Sequence, residues 1–505
     1  MNTAAAANPE VERRLHPWSW LFVLLQQVRQ MLVPLIALLV FGGRGDAGAY
    51  WPILGTLAVV GVLVVLSLIQ YFTYYYRVGV DALTVREGWL HRSLRDIPYS
   101  RIHNVVVHQN LLHRLFGVAE VRLESAGGQK PEAHMRVLSL DQALALEQRV
   151  RHRGQSAASV AQDAAGPAAE GLLSLSTAEV IRLGLVSNRG MIVMAAAFGV
   201  AWQVFPERAM GSFIERFGRQ AFGYANELQL GWISTALAAS ALVLLAIALL
   251  RVLSVALALF QYHGFRLSEE TRRLTVERGL LSRLRTSVAR RRIQAWTLRE
   301  TLLHRLLQRR SLHIDTAVAE QQGQEAGRAL KELAPIATAD QCDALVQRLL
   351  PQAQWPREDW VALPAAAWWR MFVPGAVFMA ILAVALTAFF ATPWGLLPLA
   401  WLPWSAHVAR QHALRAAYAV DGAVVAVRGG WWDRYWRFAE IDKLQALRLV
   451  RSPIDQRLGT ASLWLDTAGA TGSAPALQIR FLPEAQARAL FVQLGHALAR
   501  HRLQW

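Results

Sequence analysis

Long apolar runs along the chain are separated by stretches in which apolar and polar residues alternate. Three runs approach or exceed the roughly 18 residues that a helix needs to cross a bilayer, and they lie at 50–72, 234–250 and 371–391. A weaker apolar run accompanies each of them, at 19–41, 191–205 and 393–404. The pattern predicts six membrane spans in three hairpins. Because Arg29 and three nearby glutamines interrupt the first run, an amphipathic interfacial helix leading into a short span is the alternative there.

After each hairpin the periodicity changes from that of a helix to that of a strand. In the first such region, RVGVDALTVREGW, RIHNVVVHQ, VAEVRLESA and AHMRVLSL alternate around turn residues. Each region closes with a helical stretch, at 139–151, 338–350 and 483–500, which begins with a capping signal or a proline. We expect antiparallel sheets of short strands, arranged as a small barrel or sandwich that the final helix closes.

The three strand-rich regions are copies of one another, and we call them the first, second and third modules. LLHRL at Leu111–Leu115 recurs at Leu302–Leu306, and the flanks align without a gap when Ile102 is set against Ile293. A third copy follows in the same alignment, with Leu444 at the position of these isoleucines and LDTAG where the first copy has LESAG. In LLHRL we expect the leucines to pack under the sheet and the arginines to lie along its edge.

These patterns divide the chain into nine segments. In order, we predict a disordered tail (1–17), hairpin 1 (18–75), the first module (76–152), a linker (153–188), hairpin 2 (189–261), the second module (262–350), a linker (351–367), hairpin 3 (368–410) and the third module (411–505). The two linkers are rich in Ala, Ser, Gly or Pro.

The formal net charge of +17 is concentrated on the side of the hairpins that carries the modules. Between residues 271 and 310 twelve arginines face only Glu277 and Glu300. By the positive-inside rule, the modules and both termini lie in the cytoplasm of an inner, or plasma, membrane. The single cysteine, Cys342, fits a reducing compartment because it leaves no internal disulfide to form.

The core of the first module, IPYSRIHNVVVHQNLLHRLFGVAEVRLESAGG, closely resembles the bacterial membrane proteins that carry the bacterial PH domain of the second type. Three tandem copies resemble the large, multi-copy member of that family. The third copy matches through SPIDQRLGTASL, whereas in the second VARRRIQ replaces IPYSRIH and Gln308 stands where a Gly is expected. The resemblance implies an α+β membrane protein with a seven-stranded PH-like fold and a C-terminal helix in each module. It also implies a smaller, single-module membrane protein as a possible partner, and it brings no catalytic residues.

Enzymatic chemistry has little support in the sequence. The fourteen histidines form no HExxH or other metal-binding spacing, and there is no Walker A loop or GxSxG motif. We therefore expect no catalytic residues, metal or cofactor. A catalytic cluster of distant His, Asp or Glu residues brought together by folding is the alternative.

Basic and aromatic residues of the modules are the candidate contacts with an anionic lipid surface or a partner protein. A tribasic run beside a bilayer gains about 1 kcal/mol per charge from anionic lipids, although the same residues also enforce membrane topology. Nucleic acid is not expected, since no aromatic stacking platform lies among the charges. The candidates are Arg290, Arg291, Arg292, Arg305, Arg101, Arg114, Lys443, Trp431 and Trp432. For the tryptophans, packing in the core of the module is the competing interpretation.

Together these observations predict a polytopic membrane scaffold that displays three PH-like modules and binds a membrane partner protein or an anionic lipid surface. The alternative is a component of an envelope transport or export system for a lipid or a hydrophobic peptide, in which the hairpins form the pathway. Polar residues along one face of the spans would favour that alternative.

Overall fold

The computed structural model describes residues 12–31, 34, 50–125, 132–153, 170–204, 211–212, 215–216, 232–270, 272–316, 331–364, 367–468 and 474–500. Most of the predicted disordered tail, the second half of the first apolar run and residues 154–169 of the first linker lie outside these ranges. The predictions for those segments therefore have no structural counterpart.

Among the described residues, the first module and its hairpin contain seven strands and four α-helices. Their order along the chain is β1 (Arg13–Arg14), α1 (Ser19–Gln30), α2 (Tyr50–Thr73), β2 (Tyr75–Val78), β3 (Ala82–Glu87), β4 (Ser93–Pro98), β5 (Ile102–Gln109), α3 (Leu111–Leu115), β6 (Val118–Ser125), β7 (Ala133–Ser139) and α4 (Leu140–Arg153).

The second module repeats this order, with its hairpin built from a bent pair of helices and one long helix. The elements are β8 (Glu170–Ser174), α5 (Thr177–Val186), α6 (Arg189–Val204), α7 (Trp232–Tyr262), β9 (Arg266–Glu270), β10 (Arg273–Arg278), β11 (Arg283–Ala289), β12 (Ile293–Glu300), α8 (Leu302–Leu306), β13 (Arg309–Thr316), β14 (Glu332–Thr338) and α9 (Ala339–Leu349).

The third module completes the repeat. Its elements are β15 (Val361–Ala362), α10 (Ala367–Phe390), a 3-10 helix (Pro393–Trp401) that leads into α11 (Leu402–Arg415), β16 (Ala417–Val420), β17 (Val424–Gly429), β18 (Arg434–Glu440), β19 (Leu444–Val450), α12 (Pro453–Leu458), β20 (Thr460–Thr467), β21 (Gln478–Pro483) and α13 (Glu484–Arg500).

The sheets cross the boundaries between modules. One seven-stranded sheet has the order β7-β6-β5-β11-β10-β9-β8 and joins the first module to the second, and another has the order β14-β13-β12-β18-β17-β16-β15 and joins the second to the third. A four-stranded sheet, β1-β2-β3-β4, lies at the start of the array and a three-stranded sheet, β19-β20-β21, at its end. Since Phe438 of β18 belongs to the same buried cluster as Trp296 of β12, the second and third modules share core as well as strands.

A short strand precedes each hairpin and returns to the module that follows it. Arg14 of β1 pairs with Tyr75, Ser174 of β8 with Arg266, and Ala362 of β15 with Ala417. The prediction of a disordered tail through residue 17 is thus wrong for its last residues, and the two segments predicted as linkers contribute edge strands. Their backbone groups find partners on the first strand of each module, which sequence composition does not reveal.

The described part of the chain contains three helices long and apolar enough to cross a membrane, namely Leu54–Thr73 within α2, Ala236–Tyr262 within α7, and α10. A fourth results if α5 and α6, which meet at 56°, are counted as one span. The predicted number of six spans is therefore not confirmed. In hairpin 3 the predicted second span is a 3-10 helix followed by α11. It packs tightly on α10, because a Cβ added at Gly395 would lie only 2.3 Å from the backbone nitrogen of Thr387.

The LLHRL segments form the short helices α3 and α8, and the predicted burial of their leucines is wrong. Leu115 and Leu306 are 77% and 79% exposed, whereas His113 and His304 are buried. The α3 helix lies beside the start of hairpin 1, where Phe22 of α1 contacts the ring of His113 at 4.3 Å. The leucines therefore point outwards, and in α3 they do so beside the first helix of hairpin 1.

Candidate functional site

A cavity of about 1120 Å³ lies between hairpin 3 and the third module. Helices α10 and α11 supply an apolar and aromatic wall, and β12 of the second module with β17 and β21 of the third supplies a basic one. The residues on the helical wall include Met371, Pro374, Trp401, Trp404 and His412. The basic side chains in the lining are Arg299, Arg370, Arg428 and Arg480, and the acidic one is Asp433.

Arg370, in the first turn of α10, fastens the hairpin to the module. Its guanidinium bonds Asp455 at 2.6 Å and the hydroxyl of Thr460 at 2.7 Å, and it lies 4.0 Å from the ring centre of Phe481. Asp455 is buried in α12, where Ser452 and Asp455 form a capping box. Burial alone would raise the pKa of Asp455, but hydrogen bonds from Ser452, Thr460 and Arg370 outweigh it and lower the pKa to about 2.

This ion pair predicts an acid-sensitive joint between hairpin 3 and the third module. Because the folded pKa of about 2 lies below the ordinary value of 3.8, the pair contributes stability that is fully present above pH 4 and is lost as the pH falls through 2. Hydrogen exchange of the α12 amides, measured between pH 5 and pH 2, should show protection falling in that window. Asp455→Asn should remove the pH-dependent step; a step of unchanged size in this variant would contradict the assignment.

The module wall of the cavity carries arginine charges with few acidic partners. Arg428 of β17 lies 4.9 Å from the ring centre of Trp360, and burial lowers its pKa. Arg434 lies between the lining residues Asp433 and Tyr435 but does not itself line the cavity; burial, followed by the charge of Arg305, lowers its pKa, and its ion pair with Glu300 is long at 3.9 Å. Within the described part of the chain, the buried Nε atoms of Arg428 and Arg434 have no hydrogen-bond partner. An anionic ligand in the cavity would compensate the charge of Arg428.

The predicted residue Arg305, in the second LLHRL helix, joins this basic group. It lies near Arg434 and Arg415, the last residue of α11. Arg415 in turn interacts electrostatically with Arg428, so the basic group runs from the joint of the second and third modules to the cavity. Arg480, which is exposed, completes the basic lining from β21.

Aromatic rings cluster around Trp404, which lines the cavity. Trp431 lies 5.8 Å from Trp404 and 5.2 Å from His407, and Trp432 lies 5.1 Å from Trp431. The tryptophan pair therefore packs on hairpin 3 of its own chain, while Trp432 keeps 44% of its surface exposed. The rings lie at the joint between module and hairpin and are not part of the buried core of the third module. Their contact with lipid or a partner stays a prediction.

The three side chains of the tribasic turn Arg290–Arg292 lie in different surroundings. Arg290 donates hydrogen bonds to the carbonyls of Arg348 and Leu349 at the end of α9. A cation at this end of a helix interacts favourably with the helix dipole. Arg291 is exposed, and Arg292 is half-buried, with its pKa lowered by burial. The three do not form a single basic face, and their contact with lipid or partner stays a prediction.

The remaining predicted residues lie away from the cavity. Arg114 donates a hydrogen bond to the carbonyl of Leu280 at 2.9 Å and thus ties the first module to the second. Lys443 pairs with its neighbour Asp442 at 3.1 Å, and Arg101 is exposed at the end of a 3-10 turn. Among the described residues, no group of three or more His, Cys, Asp and Glu side chains could hold a metal ion.

Sequence reasoning missed Arg370, Arg428 and Arg480. Only Arg370 carried a usable signal, since it directly follows Trp368 and Trp369 at the start of an apolar run, where a cation marks the membrane boundary. Arg428 and Arg480 are ordinary strand positions until the fold brings them to the cavity.

The fold and the cavity define a membrane-embedded protein built from three linked PH-like modules. The chain belongs to the Bacterial PH domain family, whose profile matches residues 22–154, 225–350 and 361–498. It is similar to the UPF0699 transmembrane protein YdbT of Bacillus subtilis (strain 168), with 21% identity over 426 residues that cover 81% of this chain and 83% of that protein. No solved structure matches it. The predicted family, the internal repeat and the membrane character are thereby confirmed.

Proposed function

We propose that this protein is a membrane scaffold whose linked modules lie against the bilayer and bind the headgroup of an anionic lipid in the cavity beside hairpin 3. The observation that carries the proposal is the pairing of a basic wall, containing Arg299, Arg428 and Arg480, with a wall of membrane-helix side chains. An anionic amphiphile matches both walls at once, since its headgroup meets the arginines and its chains meet the apolar helices.

The outward-facing leucines of the short helices support a position at the bilayer surface. Leu111 and Leu115 of α3 are 53% and 77% exposed, and Leu302 and Leu306 of α8 are 45% and 79% exposed. In α12, the equivalent helix of the third module, Ile454 is an exposed apolar residue with 49% of its surface accessible. Large apolar side chains repeated on one element of every module favour contact with lipid over contact with water.

The transport alternative finds less support in the described helices. Ser67 of α2 donates hydrogen bonds to Gln27 and to its own helix, and Arg251 of α7 donates to the carbonyls of Leu185 and Ser187. These polar groups thus satisfy one another within each hairpin. A conducting path would need polar groups directed towards a shared passage.

The orientation and the partner are parts of the proposal that rest on sequence alone. The positive-inside rule favours cytoplasmic modules and termini in an inner membrane. A smaller single-module membrane protein is the partner that the family resemblance implies. Copurification from native membranes after crosslinking tests that partner independently of lipid binding.

The lipid proposal is tested with the full chain in nanodiscs of zwitterionic lipid containing a fluorescent anionic phospholipid probe. At about 1 kcal/mol per basic residue, Arg428→Gln combined with Arg480→Gln should weaken binding of the anionic probe by about thirtyfold. Binding of a zwitterionic probe should change little, because the lost contribution is electrostatic.

Arg448→Gln is the matched control, because Arg448 is an exposed arginine of the same module that does not line the cavity. It should leave anionic lipid binding within the error of the measurement. Equal losses in the control and in the double variant would show only a general surface charge effect, and unchanged binding in the double variant would contradict the proposed site.

A further inference from the structure

The two joints between modules are the same strand pairing made twice. At the first joint β11 pairs antiparallel with β5, with Thr286 opposite Val106. At the second joint β18 pairs with β12, with Arg437 opposite Thr297. In the repeat alignment Arg437 occupies the position of Thr286, and Thr297 occupies that of Val106. Both the choice of strands and the register are therefore a property of the repeated module.

A polar contact marks one face of each joint. At the second joint the buried Arg437 bonds Asp315 at 2.6 Å. At the first joint Thr286 donates to Asn104, which donates to Glu124 at 2.9 Å. Glu124 and Asp315 are equivalent positions, the acidic residues of LESAG and IDTAV.

The opposite face of each joint brings an edge-strand side chain to the closing helix of the neighbouring module. At the first joint Arg285 lies 3.3 Å from Glu147, the eighth residue of α4. At the second joint the equivalent Trp436 packs against the buried cluster that contains Val346, the eighth residue of α9. The contact with the closing helix is thus an ion pair at the first joint and an apolar contact at the second.

Both ends of this array leave the equivalent edge open. Strand β4 of the first module corresponds to β11 and β18, and β19 of the third module corresponds to β5 and β12. Among the described strands, β4 pairs only with β3 and β19 only with β20. The turn before β4 is also uncovered, since Trp89 and Leu90 are 68% and 80% exposed, against 37% and 41% for their equivalents Leu280 and Leu281 at the first joint.

We propose that β4 of one copy of this chain pairs with β19 of a second copy, in the register of the two internal joints. Arg95 then takes the place of Arg437 and meets Asp466, the equivalent of Asp315. Leu94 takes the place of Trp436 and meets Phe491, the eighth residue of α13. Leu94 is 71% exposed, and the exposed carboxylate of Asp466 has no hydrogen bond or ion pair in the described part of the chain. Phe491 is half-buried at the edge of the third-module core.

The proposed contact is heterologous, so it joins molecules head to tail into a ring or an open row along the membrane. It is weaker than the internal joints, because the register places Arg95 opposite Arg448, and like charges directly opposite are unfavourable. The contact therefore depends on Asp466 to compensate both guanidinium groups. Within the described part of one molecule, Arg95 pairs with exposed Glu87 at 3.4 Å and donates a long hydrogen bond to the carbonyl of Glu132 at 3.5 Å, and both contacts are exposed and easily exchanged.

Disulfide crosslinking in native membranes tests the register. Ser93 and Val450 face each other in the proposed joint, as Leu284 and His108 do in the first joint. A Ser93→Cys chain and a Val450→Cys chain, each with its own tag, are coexpressed and oxidised, and a dimer carrying both tags is expected. The native Cys342 does not interfere, since it is buried and burial raises the pKa of its thiol to about 12.

The control replaces Val450→Cys with Ala446→Cys, which lies on the same strand and face but about 13 Å away, too far for a disulfide with Ser93→Cys. The proposal expects loss of the dimer in this control. Crosslinking Leu284→Cys to His108→Cys within one chain verifies the oxidation. Absence of the matched dimer while that internal crosslink forms, or equal yields in the matched and shifted pairs, would overturn the proposal.

Charge-reversal variants test the same contact without introduced cysteines. Asp466→Arg alone should abolish the oligomers seen after photo-crosslinking in native membranes, because three guanidinium groups then meet in the contact. Coexpression of this variant with an Arg95→Asp chain should restore contacts between unlike chains, because either the reversed pair or the original pair of Arg95 with Asp466 then forms at each contact. Oligomers that persist when Asp466→Arg is expressed alone would contradict the proposed contact, and neither Arg95 nor Asp466 lines the lipid cavity.

Discussion

Replacing Asp315 by alanine is expected to loosen the joint between the second and third modules by about 3–5 kcal/mol, because it leaves a buried arginine without its counterion. Arg437 is only 1% exposed, and its two described partners are Asp315 at 2.6 Å and the hydroxyl of Thr297 at 2.9 Å. The Thr297 hydroxyl cannot neutralise the charge. Hydrogen exchange of the β12 and β18 amides measures the effect locally, which suits a multidomain chain that does not unfold in two states.

The double variant Asp315→Leu with Arg437→Leu separates two quantities: the destabilisation caused by an unpaired buried charge, and the net contribution of the ion pair to stability. Since apolar residues of similar volume often replace a buried ion pair without loss, protection should return towards that of the unaltered chain. Glu484→Ala is a control for solvent-accessible ion pairs, because Glu484 bonds Arg488 at 2.7 Å and Arg451 at 2.8 Å, and these arginine side chains are 64% and 31% exposed. Equal effects of Asp315→Ala and Glu484→Ala would exclude a special role for the buried pair.

Local elements and repeats could be predicted from the sequence, and the joints between modules could not. Alternation of polar and apolar residues fixes which face of β5 or β12 is buried, but it does not name the strand on either side. The pairings of Val106 with Thr286 and of Thr297 with Arg437 connect residues 180 and 140 positions apart. No local signal carries that information.

The leucines of LLHRL were misread because apolar residues were assumed to avoid every surface. Beside a membrane helix, Leu115 and Leu306 can face outwards at little cost, since the neighbouring medium is not only water. The cavity was missed for a different reason. Arg370 and Arg428 become neighbours of one space only after hairpin 3 folds back on the third module, and each alone resembles an ordinary basic residue.

The half-buried carboxylate of Glu332 holds hairpin 2 to the second module through groups from three other elements. Arg189 at the start of α6 and Arg278 of β10 each bond it at 3.0 Å, and the hydroxyl of Tyr262 at the end of α7 donates to it as well. Burial alone would raise the pKa of Glu332, but the charges of Arg278 and Arg189 outweigh it and lower the pKa. The group is therefore ionised and balances two guanidinium groups that both lie within 4.6 Å of the Tyr262 ring centre.

Glu332→Leu is expected to destabilise the attachment of hairpin 2 by about 3–5 kcal/mol, because two poorly solvated arginines then face each other without a counterion. The stability of the attachment in Glu332→Gln should lie between that of Glu332→Leu and that of the unaltered chain, since an amide can still accept hydrogen bonds but carries no charge. Limited proteolysis and hydrogen exchange at the last turn of α7 report whether the helix separates from the module. Glu277→Gln is the matched control, because Glu277 pairs with Arg285 at 3.3 Å on an exposed part of the neighbouring strand. If Glu332→Leu changed protection at α7 no more than Glu277→Gln does, the hairpin would have to be held by apolar packing alone, chiefly that of Tyr262 and Phe265 in the core of the second module.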